Sequence, residues 1–381
     1  MSAITPLPSV QSDKLFYIDR IKVLLTILVV LHHTFIAYST AGGWYYTQKT
    51  AHIAALVPMT MFVSINQSFF MGFFFLLSAY FTGASYDRKG ASHFIADRLL
   101  RLGIPLLFYS FVLSPFISYL VYYFSEGHHI TYLQYLSGYD TWIDPGVMWF
   151  VGALLVFNLI YLAVRGLTRI TFKKPVPAPG PGIIMLFAVS LGVISFLTRI
   201  IFPVGWVLKP LGFQLGHFSQ YIALFMIGLL AYRNRWFEGL SPRTGKRLAW
   251  SAWLCLIFFP VFFMIKVKLN MPGAWYSGGF HWQSLLYAVW EQCLGLSILT
   301  VLLCRAKRSW NTSSLLSGRL ARCNFAVYIF HPLVIVALTL AVRNWAVDPA
   351  IKLLLVAPLA VSGSFMFGAL ILLIPGVKRI I

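Results

Sequence analysis

The residues best suited to chemistry lie in one apolar stretch, DRIKVLLTILVVLHH, from Asp19 to His33. An ionisable group inside hydrocarbon is costly, which makes each of them a functional candidate. Asp19, Lys22, Thr26 and His33 stand three, four and seven positions apart, a spacing that puts them on one stripe of a helix. From Lys22 to His33 the axial rise is about 16 Å at 1.5 Å per residue. Lys22 therefore belongs at a membrane mouth and His33 near mid-membrane on the same face, with His32 turned about 100° away. An imidazole, with an unperturbed pKa near 6.5, is the usual general base for removing a hydroxyl proton. The plainer alternative is a histidine bonded to a neighbouring carbonyl.

A second cluster, DRLLRLGIP at 97–105, carries Arg98 and Arg101. Three residues apart on a helix, two forked guanidinium groups suit phosphate, although arginines also gather at the cytoplasmic ends of membrane helices for topological reasons. Glu291 stands alone as an acid within the central part of an apolar segment; it is either a site residue or the partner of a helix-end arginine. Trp149 opens another segment, as a site or interfacial aromatic, and His331 precedes Pro332, where the pair could equally mark a kink. Cys255, Cys293, Cys304 and Cys323 fall in apolar segments or at their cytoplasmic ends and read as buried free thiols. The sequence shows no GxSxG, P-loop or metal-ligand spacing, so no bound cofactor or metal is expected.

These residues need a membrane bundle to position them. The chain is 59% hydrophobic and 10% charged, with a mean hydropathy of +0.78, whereas a soluble domain carries about 25% charged residues. About 20 apolar residues cross the hydrocarbon, and the stretches that qualify are 21–39, 62–85, 104–125, 147–165, 182–198, 217–232, 248–265, 282–304, 323–342 and 351–374. The expected fold is all-α, a polytopic transmembrane helical bundle of about ten helices in a single membrane domain, 1–381. Its only long Pro/Gly-rich stretch is the linker KKPVPAPGPG at 173–182. With the N-terminus inside, 23 of the 30 Lys and Arg fall in cytoplasmic segments and seven outside, which the positive-inside rule favours and which makes both termini cytoplasmic. The net charge of +20 is thus spread over helix ends, with no soluble basic domain to take nucleic acid. Outside aromatics such as Trp44, Tyr45, Tyr46, Trp142, Trp206, Trp275 and Tyr276 suit either an interfacial belt or the faces of sugar rings.

Taken together, the segments resemble the acyltransferase-3 family of integral membrane acyltransferases. DRIKVLLTILVVLHH is similar to that family's first helix, an acid, a basic residue three positions on and a histidine eleven further. FFFLLSAYFTG at 73–83, DRLLRLGIP at 97–105, MWFVGALL at 148–155, the 212–240 segment and FAVYIFHPLVI at 325–335 resemble its later motifs in order and spacing. Two positions depart from the pattern. Lys22 stands where arginine is usual, a point charge in place of a planar fork, and Ala79 stands where glycine is usual.

The resemblance implies transfer of an acyl group, acetyl in the usual case, from cytoplasmic acyl-CoA to a hydroxyl of an envelope carbohydrate or glycolipid, in a bacterial inner (plasma) membrane. Arg98, Arg101 and Lys22 would hold the donor's phosphates, its arm would thread along the first helix, and His33 would act as base with Asp19 positioning Lys22. A transporter or flippase of envelope carbohydrate or lipid is the rival class, but repeat symmetry and paired broken helices are not visible. The acceptor's identity and the oligomeric state are not legible here. The topology has a direct test: a cysteine replacing Gly180 should resist an impermeant thiol reagent in intact cells, while one placed within 126–146 should react. Labelling at 180 would overturn the orientation.

Overall fold

In hydrocarbon every backbone N–H and C=O needs a partner within the protein, which leaves helices and closed barrels as the spanning structures. The computed structural model describes residues 15–39, 42–139, 143–167 and 175–381. Among them nothing forms a strand beyond one isolated bridge, Leu208 to Phe213. In chain order the helices are α1 (Phe16–Tyr38), α2 (Ile53–Gln67), α3 (Phe70–Arg98), α4 (Ile104–Phe108), α5 (Ser114–Phe124), α6 (Tyr132–Ser137), α7 (Trp149–Leu167) and α8 (Pro181–Ile201). They continue with α9 (Phe218–Arg233), α10 (Trp236–Gly239), α11 (Pro242–Lys268), α12 (Ala274–Ser277), α13 (Trp282–Ser309), α14 (Leu315–Ala341) and α15 (Pro349–Ile371).

Among the described residues nine helices are long and apolar enough to cross a membrane, against about ten expected from segment length. The difference lies in 53–124, where the second and third expected segments run together as one helical stretch of 72 residues. Two devices articulate it. The polar run Ser64–Gln67 ends α2, and Phe69 takes a non-helical φ of −136° before α3 begins. At the basic end of α3, Gly90 adopts φ 72°, a conformation glycine enters without steric cost. Beyond Arg98 the chain widens into π-turns at Leu99–Gly103 and Tyr109–Leu113, which flank Pro105 and precede Pro115. Such widening accommodates a missing backbone donor within a continuous helix.

α1 lies against α14 and α15, with α13 on a further side, and α3 runs along α9. Small residues let membrane helices approach closely. At Gly228 a Cβ would collide with the Leu76 carbonyl of α3, so the α3–α9 seam admits nothing larger. The described part of the Pro/Gly linker is pinned to the end of α9: the Val176 N–H donates to Asn234 Oδ1 (2.8 Å), and Trp236 Nε1 donates to the Val176 carbonyl (2.8 Å). Lys173 and Lys174 lie outside the described residues, as does Trp142.

One correction concerns Arg199, which the charge count assigned to an outside segment. It sits in the last turn of α8, 0% exposed, and forms an ion pair with Glu291 of α13, 1% exposed. Its Nε donates to the Gly216 carbonyl (3.0 Å), its Nη2 meets His217 Nδ1 (3.2 Å), and His217 Nδ1 stands 3.5 Å from Glu291 Oε1. Next to this pair, Gln220 Nε2 donates to Gln292 Oε1 (2.9 Å) and to the Ser68 carbonyl (2.7 Å) at the α2–α3 break. Glu291 is thereby the partner of a helix-end arginine, and the network ties α8, α9 and α13 to the break.

Removing one member of a buried pair strands the other charge, at a cost of about 3–5 kcal/mol, whereas replacing both with apolar groups is often neutral. Glu291→Leu and Arg199→Met should each lower the thermal midpoint strongly in detergent. The double variant should be more stable than either single one, and additive losses would show that the pair is not coupled.

Candidate active site

α1 approaches its C-terminal end as a run of β-branched and leucine residues, then presents His32 and His33 on adjacent faces. His32 is 5% exposed and packs its ring against Phe70 of α3 at 4.8 Å. His33 is half-buried and faces α14, where its ring stacks on His331 at 5.3 Å and 25° between planes. A second neighbour of His33 comes from the segment after α1: Trp44 stacks on it at 4.4 Å and 20°. Trp44 and His331 lie 6.2 Å apart at 23°. Three near-parallel rings from three parts of the chain therefore meet here.

The nitrogens in this group are short of partners. His331 Nδ1 meets the Tyr328 carbonyl at 2.9 Å; a neutral ring donating there leaves Nε2 as an acceptor. That Nε2, His33 Nδ1, His32 Nδ1 and Trp44 Nε1 are all buried with no hydrogen-bond partner. Each unmet buried polar group costs about 1–3 kcal/mol, so the cluster suits a polar guest. No group of three or more His, Cys, Asp or Glu able to hold a metal ion occurs among the described residues.

Trp44 is held over His33 by its own segment. The Gln48 and Thr50 N–H groups donate to the Ala37 and Tyr38 carbonyls at the end of α1 (2.9 and 3.2 Å). Lys352 of α15, 4% exposed, donates to Gln48 Oε1 (3.0 Å) and to the Arg343 carbonyl (2.9 Å). The Thr50 hydroxyl donates to the Asp348 carboxylate (3.0 Å to each oxygen). On the other side the Tyr45 hydroxyl bonds Tyr109 (2.9 Å) and Ser114 (3.0 Å), and Ser114 donates to Asp144 (2.7 Å). Trp44 and Tyr45 are thus turned inward, rather than spread as a belt.

At the other end of α1 the predicted residues are less gathered. Lys22 is half-buried with its ammonium over the Phe81 ring, 4.5 Å from the centroid. Asp19 forms no ion pair with it. Instead Asp19 lines a cavity of about 330 Å3 with Phe16, Ser313, Ser314, Ser317 and Arg322, at the start of α14. Arg98 lies over Phe94 at 4.9 Å. Arg101, exposed and within the first π-turn, reaches Asp97 at 3.2 Å, which Lys89 also holds at 3.0 Å. Arg98 and Arg101 thus both lie beside Asp97, and among the described residues neither is shown in contact with Lys22. Trp149 belongs to the aromatic core, stacked on Tyr221 at 5.6 Å.

The structure therefore brings His33 and His331 together, keeps Arg98 and Arg101 beside Asp97, and leaves Asp19, Lys22, Trp149 and Glu291 in other surroundings. Sequence reasoning passed over Arg199, His217 and the inward turn of Trp44. Of these only Arg199 left a signal, as one of two arginines counted outside in a chain with a lone intramembrane acid.

A family model described as an acyltransferase domain matches residues 15–372. Glucans biosynthesis protein C from Salmonella typhi is 24% identical over 340 residues, which cover 85% of this chain and 83% of that protein. The protein of the same name from Salmonella typhimurium gives the same figures, and that from Salmonella schwarzengrund is 23% identical with the same coverage. No solved structure matches the chain. The family match runs from α1 through α15 and takes in both histidine-bearing helices, so this chain belongs to the acyltransferase-3 family of integral membrane acyltransferases.

Proposed function

We propose that this protein moves an acyl group, acetyl by preference, from cytoplasmic acyl-CoA to a hydroxyl of an envelope carbohydrate or glycolipid, in a bacterial inner membrane. The observation that carries the reading is the placement of His33. It is half-buried, has an unpartnered Nδ1, and packs against the near-parallel rings of both Trp44 and His331 in a chain of an acyltransferase family. An acceptor is expected among glucans or related sugars, in keeping with the name of the Salmonella relatives.

The chemistry runs in two balanced steps. His33 takes the proton of the acceptor hydroxyl as its oxygen forms a bond to the thioester carbonyl carbon, whose π electrons move onto oxygen. The tetrahedral oxyanion then re-forms the carbonyl and expels the coenzyme A thiolate, which takes the proton back from His33. His331, with Nδ1 tied to its own helix, supports the ring of the base from behind. The donor's phosphates are assigned to Arg98, Arg101 and Lys22, which lie toward the basic end of the bundle. The cavity between Asp19, Arg322 and the start of α14 offers the donor further room there.

Two measurements test this. His33→Ala should lose on the order of 10²–10⁴ in transfer rate while binding acyl-CoA with near-native affinity. His32→Ala, on the Phe70 side, should lose much less. A folded His33→Ala protein with full activity would remove the base. Separately, Arg98→Ala and Arg101→Ala should raise KM for acyl-CoA more than they lower kcat, each lost charge-assisted contact costing about 1.5–3 kcal/mol. An unchanged KM in both would return them to a topological role, and Arg101 would then matter only to Asp97.

A further inference from the structure

We propose that Trp44 is the oxyanion donor of this acyl transfer, its indole N–H receiving the negative charge that develops on the thioester carbonyl oxygen. The inference rests on His33 being the base, and it supplies the electrophilic half of the site that the histidines cannot. Around His33 the unpartnered ring atoms are three imidazole nitrogens and one indole nitrogen. The indole nitrogen differs in kind: it carries a hydrogen in every protonation state and has no lone pair to accept with. A neutral imidazole nitrogen that is to take a proton is an acceptor, so the same nitrogen cannot hold an oxyanion. The permanent donor in the cluster is therefore Trp44 Nε1.

Its position fits the role. The indole ring stacks on His33 at 4.4 Å, so a group that touches the imidazole edge lies within reach of the indole edge. An oxyanion hole works when its donors are fixed before the charge appears and sit where water is excluded. Trp44 meets both conditions. Its Nε1 is buried without a partner, and the segment that carries it is bonded to the end of α1 and to Asp348, Lys352 and the Arg343 carbonyl. A tryptophan kept only for packing gains nothing from burying an unpaired N–H, which costs about 1–3 kcal/mol.

The test replaces the N–H while keeping the ring. Trp44→3-benzothienylalanine, introduced at that single position, preserves the size and stacking face of indole and substitutes sulfur for the N–H. With the full-length protein in nanodiscs, acetyl-CoA as donor and a glucan acceptor, kcat should fall about 10²–10³-fold with KM for acetyl-CoA unchanged. Trp44→Phe, which keeps an aromatic face but no donor, should fall at least as far, and its thermal midpoint reports whether the roof still folds. Full activity in the benzothienyl variant would overturn the inference. His33→Ala assayed alongside separates the failures: an inactive His33→Ala with a fully active benzothienyl variant sinks the oxyanion role alone, whereas an active His33→Ala sinks the base and the donor together.

Discussion

A guanidinium in hydrocarbon is tolerable only when a carboxylate and hydrogen-bond acceptors surround it, because the desolvation of either ion alone exceeds what packing returns. Arg199 and Glu291 meet that condition through three helices at once. Arg199 comes from the end of α8, Glu291 from α13, and His217 and the Gly216 carbonyl from the start of α9. Because the pair cannot separate without exposing two charges to an apolar interior, it fixes how far these helices can slide. Gln220, one turn into α9, carries the same constraint to the Ser68 carbonyl and so to the break between α2 and α3. Phe70, immediately beyond that break, is the residue against which His32 rests. The two histidines of α1 are thus backed by a scaffold whose geometry is set by one ion pair.

The opposite wall is built differently. α1 lies in a cradle of α14 and α15, and the contacts there are apolar or aromatic: Val30 with Val327, Ile335 and Ala360, and His33 with His331. Around His33 itself such a wall holds no charge, which suits a place where charge appears briefly during a reaction and then leaves. The bundle therefore keeps one buried ion pair on the α8–α9–α13 side, while on the α1–α14–α15 side the charges of Asp348 and Lys352 stay at the start of α15.

The sequence carried the parts of this design that are local. Length and hydropathy located the spanning segments because a helix in lipid satisfies its backbone within itself. The stripe from Asp19 to His33 was legible because helical periodicity determines which residues share a face. His331 stood out as a histidine inside an apolar run. What escaped were relations between distant segments. Arg199 and Glu291 are 92 positions apart, and nothing short of the fold says that one faces the other. Asp19 and Lys22 do share a stripe, yet Lys22 settles over Phe81 while Asp19 turns toward the start of α14, a choice made by neighbours on other helices. Arg98 and Arg101 stay near one another, yet Arg98 settles over Phe94 while Arg101 pairs with Asp97. Trp44 read as a surface aromatic because a loop has no periodicity from which an inward turn could be inferred.

The roof over His33 also has a history in time. Its base, α1 and the Trp44 segment, is among the first parts of the chain to leave the ribosome. Two of the anchors that hold it down, Asp348 and Lys352, are synthesised much later: Thr50 precedes its carboxylate partner by 298 positions and Gln48 precedes its lysine by 304. At about 5–20 residues per second, that interval is roughly 15–60 s. During it the first helix sits in the bilayer with its histidines in place, and the tryptophan segment is held only by its bonds to the end of α1 and, once they are made, to Tyr109 and Ser114. The full set of bonds that holds Trp44 over His33 therefore forms only after α15 has been translated and inserted.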